Sequence, residues 1–295
     1  MYDMEVIMLA EVSIRFVNIG FEINDLGKSI SVFGFDIAYY GIVIAIGMIC
    51  AILMVFREAK LTGQNVDNYY DLAIFMVVFG VIGARLYYVM FEWDSYKDDL
   101  ISILKIRNGG LAIYGGIIAG ILVAFMYSKI KKLSFAQILD TAVIGLLIGQ
   151  IFGRWGNFFN REAFGGYTDN LFAMQIKLDE VGGIISSSLA NNIKVVNGIE
   201  YIQVHPTFLY ESLWNLILLI IILLYRKHKK YQGEIIGIYM IGYGIGRGII
   251  ESLRTDQLIM PLINKPVSII VSIVMVSIGI STIVYKRVML KKNEV

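Results

Sequence analysis

Seven apolar runs alternate with short polar segments along the chain, and each run has about the length of a membrane-spanning helix. A helix needs about 20 predominantly apolar residues to cross a bilayer. The chain has only three prolines, so little interrupts helix formation within the runs. The pattern therefore predicts an all-α polytopic membrane protein with about seven transmembrane helices, the fourth of them short, over residues 35–56, 71–91, 111–128, 135–152, 208–225, 234–251 and 267–285.

The polar segments between these spans define the predicted regions of the chain. Residues 1–34 lack the basic start of a signal peptide, so we expect an arm at the membrane surface, formed by a strand or a short helix. No second soluble domain is indicated. The regions are an extracytoplasmic N-terminal arm over 1–34, spans one to four over 35–153, an extracytoplasmic head segment over 154–207, spans five to seven over 208–285 and a cytoplasmic tail over 286–295.

Basic residues are distributed unevenly between the two sets of loops, and this predicts the orientation. Cytoplasmic loops of membrane proteins carry the excess of Lys and Arg. The loops on the side of the C-terminus hold 13 basic residues in about 40 positions, against 11 in about 120 positions on the other side. The densest cluster, residues 226–230, is expected to lie on anionic lipid headgroups. We therefore expect the N-terminus outside and the C-terminus inside.

The composition agrees with this fold class and excludes several others. The chain is 57% hydrophobic and 17% charged, whereas soluble domains are about 45–50% apolar and about 25% charged. A net charge of +2 indicates no polyanionic partner such as nucleic acid. A lone Cys50 excludes an internal disulfide or a cysteine-rich zinc site. His205 and His228 lie too far apart for a zinc-hydrolase pattern, so no metal is expected.

Two arginines, Arg85 and Arg247, fall within spans rather than loops. A charge at the bilayer centre costs about 2.5–3.5 kcal/mol even on lenient scales, so each needs a partner or a cavity. With the orientation above, both lie toward the outer face, as does Arg154. Other polar residues are predicted at the same outer level: Tyr39, Tyr40, Tyr114, Asn157, Asn160, Glu162, His205, Glu211, Glu251 and Arg254.

This polar set has two interpretations. For any one arginine, a structural role in ion pairs or at the membrane interface is as good an explanation as a bound ligand. The whole set is better explained by a bound lipid phosphate, which matches the planar donor fork of arginine and would supply the missing countercharge. Glycine pairs at 109–110 and 115–116 also flank Tyr114. They predict a broken helix start, where exposed backbone N–H groups would meet an anion.

Residues 153–165 read GRWGNFFNREAFG, and this segment closely resembles the signature of bacterial prolipoprotein diacylglyceryl transferases. The resemblance extends over most of the chain in the family's order, through YYG at 39–41, GAR at 83–85, HPTFLYE at 205–211 and YGIGR at 243–247. It implies transfer of a diacylglyceryl group from phosphatidylglycerol to the lipobox cysteine thiol of a preprolipoprotein. A thioether forms and glycerol phosphate leaves, as the first step of lipoprotein maturation.

The resemblance also implies location and partners. It places a seven-span protein in the bacterial cytoplasmic membrane, with its active site toward the outer face. The implied partners are phosphatidylglycerol, preprolipoprotein signal peptides and membrane lipids, without nucleic acid, metal or organic cofactor. The implied catalytic residues are Arg154, Arg247, Tyr114 and Glu251, and the implied substrate-binding residues are Tyr40, Arg85, Asn157, Asn160, Glu162, Gly165, His205, Tyr243 and Arg254.

The expected roles follow from the chemistry of transfer. Arg154 and Arg247 would hold the phosphate and stabilise the leaving charge, with Asn157 as a neutral donor. Neighbouring arginines would also lower the pKa of the thiol from about 8.5. Glu251, four residues after Arg247, is expected first to orient that arginine and only second to act as a base. Glu162 is expected either to cap a loop or to bind an arginine.

Tyr114 departs from the family pattern, because many members have a histidine there. A tyrosine with a pKa near 10 is a poor base at neutral pH, so we expect Tyr114 to orient lipid or thiol. Two other function classes remain open from the sequence. One is an outward-facing transporter or binder of an anionic lipid or solute, for which internal repeats would be expected. The other is an intramembrane phospholipid hydrolase, in which water replaces the thiol as acceptor.

Overall fold

The computed structural model describes residues 12–106, 109–261 and 263–293, and it is mostly helical. The helices are α1 (Tyr39–Leu61), α2 (Asp67–Phe91), α3 (Ile113–Ile130), α4 (Phe135–Asn160), α5 (Ser187–Ala190), α6 (Thr207–Tyr225), α7 (Glu234–Glu251) and α8 (Val267–Asn293). The strands are β1 (Val12–Phe16), β2 (Phe21–Asn24), β3 (Ser29–Val32), β4 (Phe35–Ala38), β5 (Met174–Lys177), β6 (Lys194–Val196), β7 (Ile199–Val204), β8 (Ile259–Met260) and β9 (Lys265–Pro266).

Within these described ranges, six helices are long and apolar enough to cross a membrane. They are α1, α2, α3, α4, α6 and α8, which fits a polytopic membrane protein. The fourth predicted span is not short, because α4 continues eight residues beyond position 152 to Asn160. The sixth predicted span is the helix α7, whose 18 residues include five glycines and the charged residues Glu234, Arg247 and Glu251. These residues lower its hydropathy and keep it out of the group of six.

The all-α prediction is wrong in one respect, because the chain also forms antiparallel sheets. Strands β2, β1, β5, β7 and β6 pair in that order as a five-stranded sheet, named here the head sheet. Strand β1 pairs with β5 from the head segment, with Ile14 opposite Ile176 and Phe16 opposite Met174. Of the strand or short helix expected in the N-terminal arm, the structure shows the strands β1, β2 and β3, and residues 1–11 of the arm lie outside the described residues.

The head sheet packs on the C-terminal end of α4 and the N-terminal end of α6 through one apolar core. Ile14, Ile176 and Val204 of the sheet are fully buried. They share this core with Phe158 near the end of α4 and Phe208 at the start of α6. Burying a large apolar side chain stabilises a fold by about 1.5–3 kcal/mol, so these contacts fix both helix ends against the sheet.

The chain forms two compact units, which are described separately. Unit 1 comprises the described residues of Met1–Cys50, Leu146–Lys227 and Gly237–Val295, and unit 2 those of Ala51–Gly145 and His228–Ile236. In unit 2, a Cβ atom on Gly115 would lie 2.3 Å from the Gly83 carbonyl oxygen, so α2 and α3 approach as only glycine permits. Asp140, also in unit 2, accepts hydrogen bonds from the Gly233 and Ile236 amides at 2.8 and 3.0 Å, which anchors the start of α7.

Candidate active site

Three side chains from three helices of unit 1 form the centre of the site. Arg154 Nη2 lies 2.9 Å from Glu211 Oε1, and Arg247 Nη1 lies 3.0 Å from Glu211 Oε2. One buried carboxylate therefore holds two guanidinium groups, one at each oxygen. Arg154 is 22% exposed, Arg247 is 12% exposed and Glu211 is 3% exposed. The pair of arginines is thus oriented inside the protein but remains open on the side of Arg154.

A second group of charges continues from Arg247 along α7 and the loop that follows it. Arg247 Nη2 lies 2.5 Å from Glu251 Oε2 and donates to Ser268 Oγ at 3.2 Å. The ion pair at i,i+4 that the spacing predicts is therefore present. Arg254 binds Asp256 in a bidentate manner at 2.8 and 2.9 Å.

The electrostatics around Arg254 favour its charged form. Burial alone lowers the pKa of Arg254, but Asp256, Glu251 and Glu211 raise it above its usual value. Burial raises the pKa of Asp256, but the hydrogen bond and the charge of Arg254 outweigh this and lower it overall. Both residues lie beyond the end of α7, and they form a fixed ion pair beside the centre of the site.

These contacts correct one expectation. The arginines were expected to lack a countercharge until a lipid phosphate arrived, yet Glu211, Glu251 and Asp256 supply it within the chain. A bound anion would therefore share or take over donors that Glu211 already holds. The carboxylates keep the arginines in place in the absence of a ligand, and this is the preorganisation that an anion site requires.

The signature segment ends α4 with a sharp turn that positions a fourth carboxylate. Asn157 and Asn160 donate to the same Glu162 oxygen, Oε1, at 3.0 and 3.2 Å. Arg154 Nη1 in turn donates to Asn157 Oδ1 at 3.2 Å. Among the residues that the structure describes, Glu162 thus binds two amides and not an arginine. Arg161 and Ala163 adopt left-handed backbone conformations on either side of Glu162, with φ of 54° and 56°, and these strained residues direct the turn.

Arg161 has a structural role in this turn. It is 2% exposed and forms an ion pair with Glu180 at 2.9 Å, and it also donates to the carbonyl of Leu26 in the N-terminal arm. Burial lowers the pKa of Arg161, while Glu180 opposes this. The arginine therefore joins the signature segment to the arm and the head.

Gly165 lies where two backbone segments meet. Its amide donates to the His205 carbonyl at 3.0 Å, and it forms an isolated bridge with Arg254. A Cβ atom on Gly165 would lie 2.7 Å from the His205 Cβ and 2.8 Å from the Leu253 carbonyl oxygen. No larger residue fits without a shift, so Gly165 fixes the distance between the head segment and the loop after α7.

Three further predicted residues lie in unit 1 around this centre. The Tyr40 ring lies against Gly156, where an added Cβ would approach it to 2.8 Å. Tyr243 stacks on Tyr239, with ring centroids 5.3 Å apart. His205 Nδ1 lies 3.3 Å from the Tyr210 hydroxyl. Burial lowers the pKa of His205, so its ring is neutral at physiological pH.

The two remaining predicted residues, Arg85 and Tyr114, lie in unit 2. Arg85 is 6% exposed, and its guanidinium donates to the carbonyls of Ser102, Ile103, Gly109 and Gly110 at 2.8–2.9 Å. It anchors the loop before α3, and this geometry supports a structural role rather than substrate binding. The glycine pair at 109–110 therefore presents carbonyls to an arginine, not amides to an anion. Tyr114 is partly buried in the first turn of α3, near Tyr87.

Arg85→Ala is expected to destabilise the protein, because four carbonyls lose a charged donor. Hydrogen bonds to a charged group are worth about 1.5–3 kcal/mol, so the thermal midpoint in detergent should fall by several degrees. Arg85→Lys should restore only part of this loss, since a single ammonium replaces the planar fork. Arg57→Ala, at an exposed arginine on α1, is the matched control and should leave the midpoint unchanged. An unaltered midpoint in Arg85→Ala would return Arg85 to the substrate-binding group.

Glu211 and Asn215 were not predicted as site residues. Glu211 was recognised only as one of many outer-level polar groups, and its contacts with both arginines depend on how three helices approach each other. Asn215 lies one turn further along α6 and is fully buried, and neither atom of its amide has a hydrogen-bond partner among the described residues. A lone amide within the apolar run of α6 is the sequence signal that could have identified it.

Comparisons with known proteins identify the family of this chain. Residues 28–285 match the family model for prolipoprotein diacylglyceryl transferase. Proteins named phosphatidylglycerol–prolipoprotein diacylglyceryl transferase are similar to this chain in Clostridioides difficile strain 630, at 41% identity over 78% of this chain and 84% of the relative, and in Finegoldia magna, at 39% identity over 90% and 97%. The Listeria welshimeri protein of the same name is 40% identical over 88% of each chain. The chain therefore belongs to the prolipoprotein diacylglyceryl transferase family.

Proposed function

We propose that this protein transfers the diacylglyceryl group of phosphatidylglycerol to the lipobox cysteine thiol of preprolipoproteins. The observation that carries the proposal is the pair of contacts that Arg154 and Arg247 make with the two carboxylate oxygens of Glu211. Two guanidinium groups placed in this way match the paired oxygens of a phosphodiester equally well. Membership of the family supports the same reaction.

The reaction is a substitution at carbon. The cysteine sulfur attacks the glycerol carbon that carries the phosphate, so a C–S bond forms as the C–O bond breaks. The bonding electrons leave with the phosphate oxygen, and glycerol phosphate departs with two negative charges or takes up the thiol proton. Nothing is oxidised or reduced. The chain therefore needs to stabilise a growing negative charge on phosphate and to supply a thiolate.

The arginines serve both needs. Arg154 is the more exposed of the pair, so we assign it the first contact with the phosphate. Arg247, on α7, provides the second contact. Asn157 orients Arg154 in the absence of lipid, and its amide, now donated to Glu162, is a further donor for the headgroup. The same positive charges lower the pKa of an approaching thiol. Glu251 orients Arg247 through their ion pair. Arg254, which is paired with Asp256, lies with its Nη1 3.9 Å from Glu251 Oε2 and stabilises the charge of Glu251.

The other predicted residues take supporting roles in this proposal. Tyr40, Tyr243, Asn160 and His205 shape the substrate site of unit 1. Tyr114, in unit 2, orients lipid or thiol through its hydroxyl. The partners are phosphatidylglycerol, the preprolipoprotein signal peptide and the surrounding membrane lipids.

The proposed location is the bacterial cytoplasmic membrane, with seven spans and the arginine cluster toward the outer face. Counting α7 as a span has a physical reason: Arg247 and Glu251 are paired within unit 1, so they need not face lipid. Seven spans place the head segment and the N-terminus on the side opposite the C-terminus, as the distribution of basic residues predicts.

Cysteine labelling tests whether α7 crosses the membrane. In a Cys50→Ala background, His228→Cys and Leu258→Cys lie before and after α7. The first should react with a membrane-impermeant maleimide only from inside, and the second only from outside. Val195→Cys, on the exposed edge strand β6, should share the outside reaction. Labelling of positions 228 and 258 from the same side would exclude the seven-span arrangement.

The function is tested by incubating purified protein with phosphatidylglycerol and a lipobox peptide. Mass spectrometry should show the peptide heavier by one diacylglyceryl group, and glycerol phosphate should appear in the supernatant. A peptide with serine in place of cysteine is the control and should stay unmodified, because an alcohol is far less ionised than a thiol. Diacylglycerol without modified peptide would indicate a hydrolase, and lipid binding without any product would indicate a binder or transporter.

A further inference from the structure

An apolar groove of about 350 Å³ opens in unit 1 beside the signature segment. Its floor is aromatic: Trp155 and Phe158 of α4 lie 5.3 and 4.7 Å from the Phe208 ring of α6, measured between centroids. Phe16 and Phe21 of the N-terminal arm form one wall. Every residue that lines the groove is Phe, Trp, Ile or Leu, so it offers no charge to a ligand.

The groove lies beside the signature residues of the site, because Phe158 and Phe208 line it and also line a small cavity together with Asn157 and Glu162. Trp155 directly follows Arg154, and Phe158 directly follows Asn157, while Phe208 lies three residues before Glu211. The groove is also open, because Phe21 is 53% exposed and Trp155 is 39% exposed. A ligand seated in it would therefore lie next to the phosphate site.

The wall formed by Phe16 and Phe21 lies before residue 28, where the match to the family model begins. Phe16 belongs to β1 and Phe21 to β2. Both strands are part of the head sheet, and β2 forms one edge of it. Phe21 and Ile23 of β2 both line the groove. Because alternate residues of a strand share one face, an extended peptide paired with β2 would direct its own alternate side chains into the same groove.

The position of the groove distinguishes a peptide from a lipid tail. The acyl chains of a lipid run from its phosphate into the bilayer, toward the middle of α4 and α6. Phe158 lies about 6 Å along α4 from Arg154 in the opposite direction, toward the head sheet. Phe208 likewise lies on the head side of Glu211. An acyl chain bound at the arginines would extend away from the groove.

We propose that this aromatic groove and the edge of β2 bind the apolar residues of the signal peptide that flank the acceptor cysteine, as an added strand. The inference rests on the proposed function, which supplies the peptide as substrate. A signal peptide carries an apolar stretch before its processing site, and this chemistry fits an uncharged aromatic groove. The groove would place the cysteine beside the phosphate held by Arg154.

Kinetics with the full-length protein and a lipobox peptide test this assignment. Phe21→Asp and Phe172→Asp each put a charge into the groove, and each should raise the KM for the peptide at least tenfold. The KM for phosphatidylglycerol and the kcat at saturating peptide should stay unchanged. Leu171→Asp is the matched control, because Leu171 is exposed beside Phe172 but does not line the groove. A raised KM for the lipid, or an unchanged KM for the peptide, would overturn the proposal.

Photocrosslinking provides a readout that does not depend on turnover. A benzoylphenylalanine in place of Phe172 should crosslink a peptide whose cysteine is replaced by serine, and excess unlabelled peptide should compete. Crosslinks to lipid alone, or no crosslink from a protein that transfers normally, would contradict the groove assignment while leaving the transfer reaction intact. Crosslinking by a wild-type-like protein that forms no thioether would instead support the groove and contradict the proposed function.

Discussion

Arg154→Ala and Arg247→Ala should each lower the rate of diacylglyceryl transfer by about 10²–10³-fold, the usual effect of removing one preorganised donor from a transition-state anion. Each arginine binds one oxygen of Glu211, so neither can replace the other. Arg154→Lys should also lose most activity, because one ammonium cannot contact both Asn157 and Glu211. The measurement is initial rate with purified protein and a fluorescent lipobox peptide.

Arg57→Ala is the control for the loss of a positive charge, and it should retain the full rate. Membrane content of each variant, measured by immunoblot, separates lost catalysis from lost insertion. Near-normal turnover in Arg154→Ala or Arg247→Ala, at equal membrane content, would remove that arginine from the catalytic group.

Glu211→Gln should lower kcat more than tenfold without raising the KM for phosphatidylglycerol. The amide keeps the shape of the side chain but can no longer hold two cations, so the arginines lose their alignment. At the same time, a negative charge beside the phosphate disappears, which favours lipid binding. Glu211→Ala should have a larger effect and should also destabilise the fold, because removing one partner from a buried ion pair typically costs about 3–5 kcal/mol of stability.

Asp94→Asn is the matched control for Glu211→Gln, since Asp94 pairs with Lys97 at an exposed surface and should contribute little. A raised KM for the lipid with an unchanged kcat in Glu211→Gln would mean that Glu211 binds substrate instead of orienting the arginines. Thermal midpoints in detergent show whether the variant is folded during the assay.

The helices could be predicted from the sequence because each carries its own signal. An apolar run of about 20 residues needs no knowledge of its neighbours. The head sheet could not be predicted in the same way, because its strands are three to six residues long and depend on distant partners. Ile14 pairs with Ile176, which lies more than half of the chain away, and the residues of one strand do not indicate which strand is its partner.

In the site, too, contacts within one helix could be predicted and contacts between helices could not. The contact between Arg247 and Glu251 follows from helical spacing alone, so it was predictable. The contacts of Glu211 required the approach of α4, α6 and α7, which no local pattern encodes. Arg85 shows the limit of sequence from the other direction: a buried arginine in a span looks the same in sequence whether its partner is a ligand or a set of loop carbonyls.

The fate of the bridging oxygen of phosphatidylglycerol tests the central claim most directly. The lipid is prepared with ¹⁸O between the phosphorus and the glycerol carbon of the diacylglyceryl group, and is incubated with the protein and a lipobox peptide. The account predicts one thioether for each glycerol phosphate released, with the label retained in glycerol phosphate, because sulfur attacks carbon and the arginines stabilise the departing phosphate. Label recovered in diacylglycerol, with no thioether on the peptide, would show attack at phosphorus and contradict it.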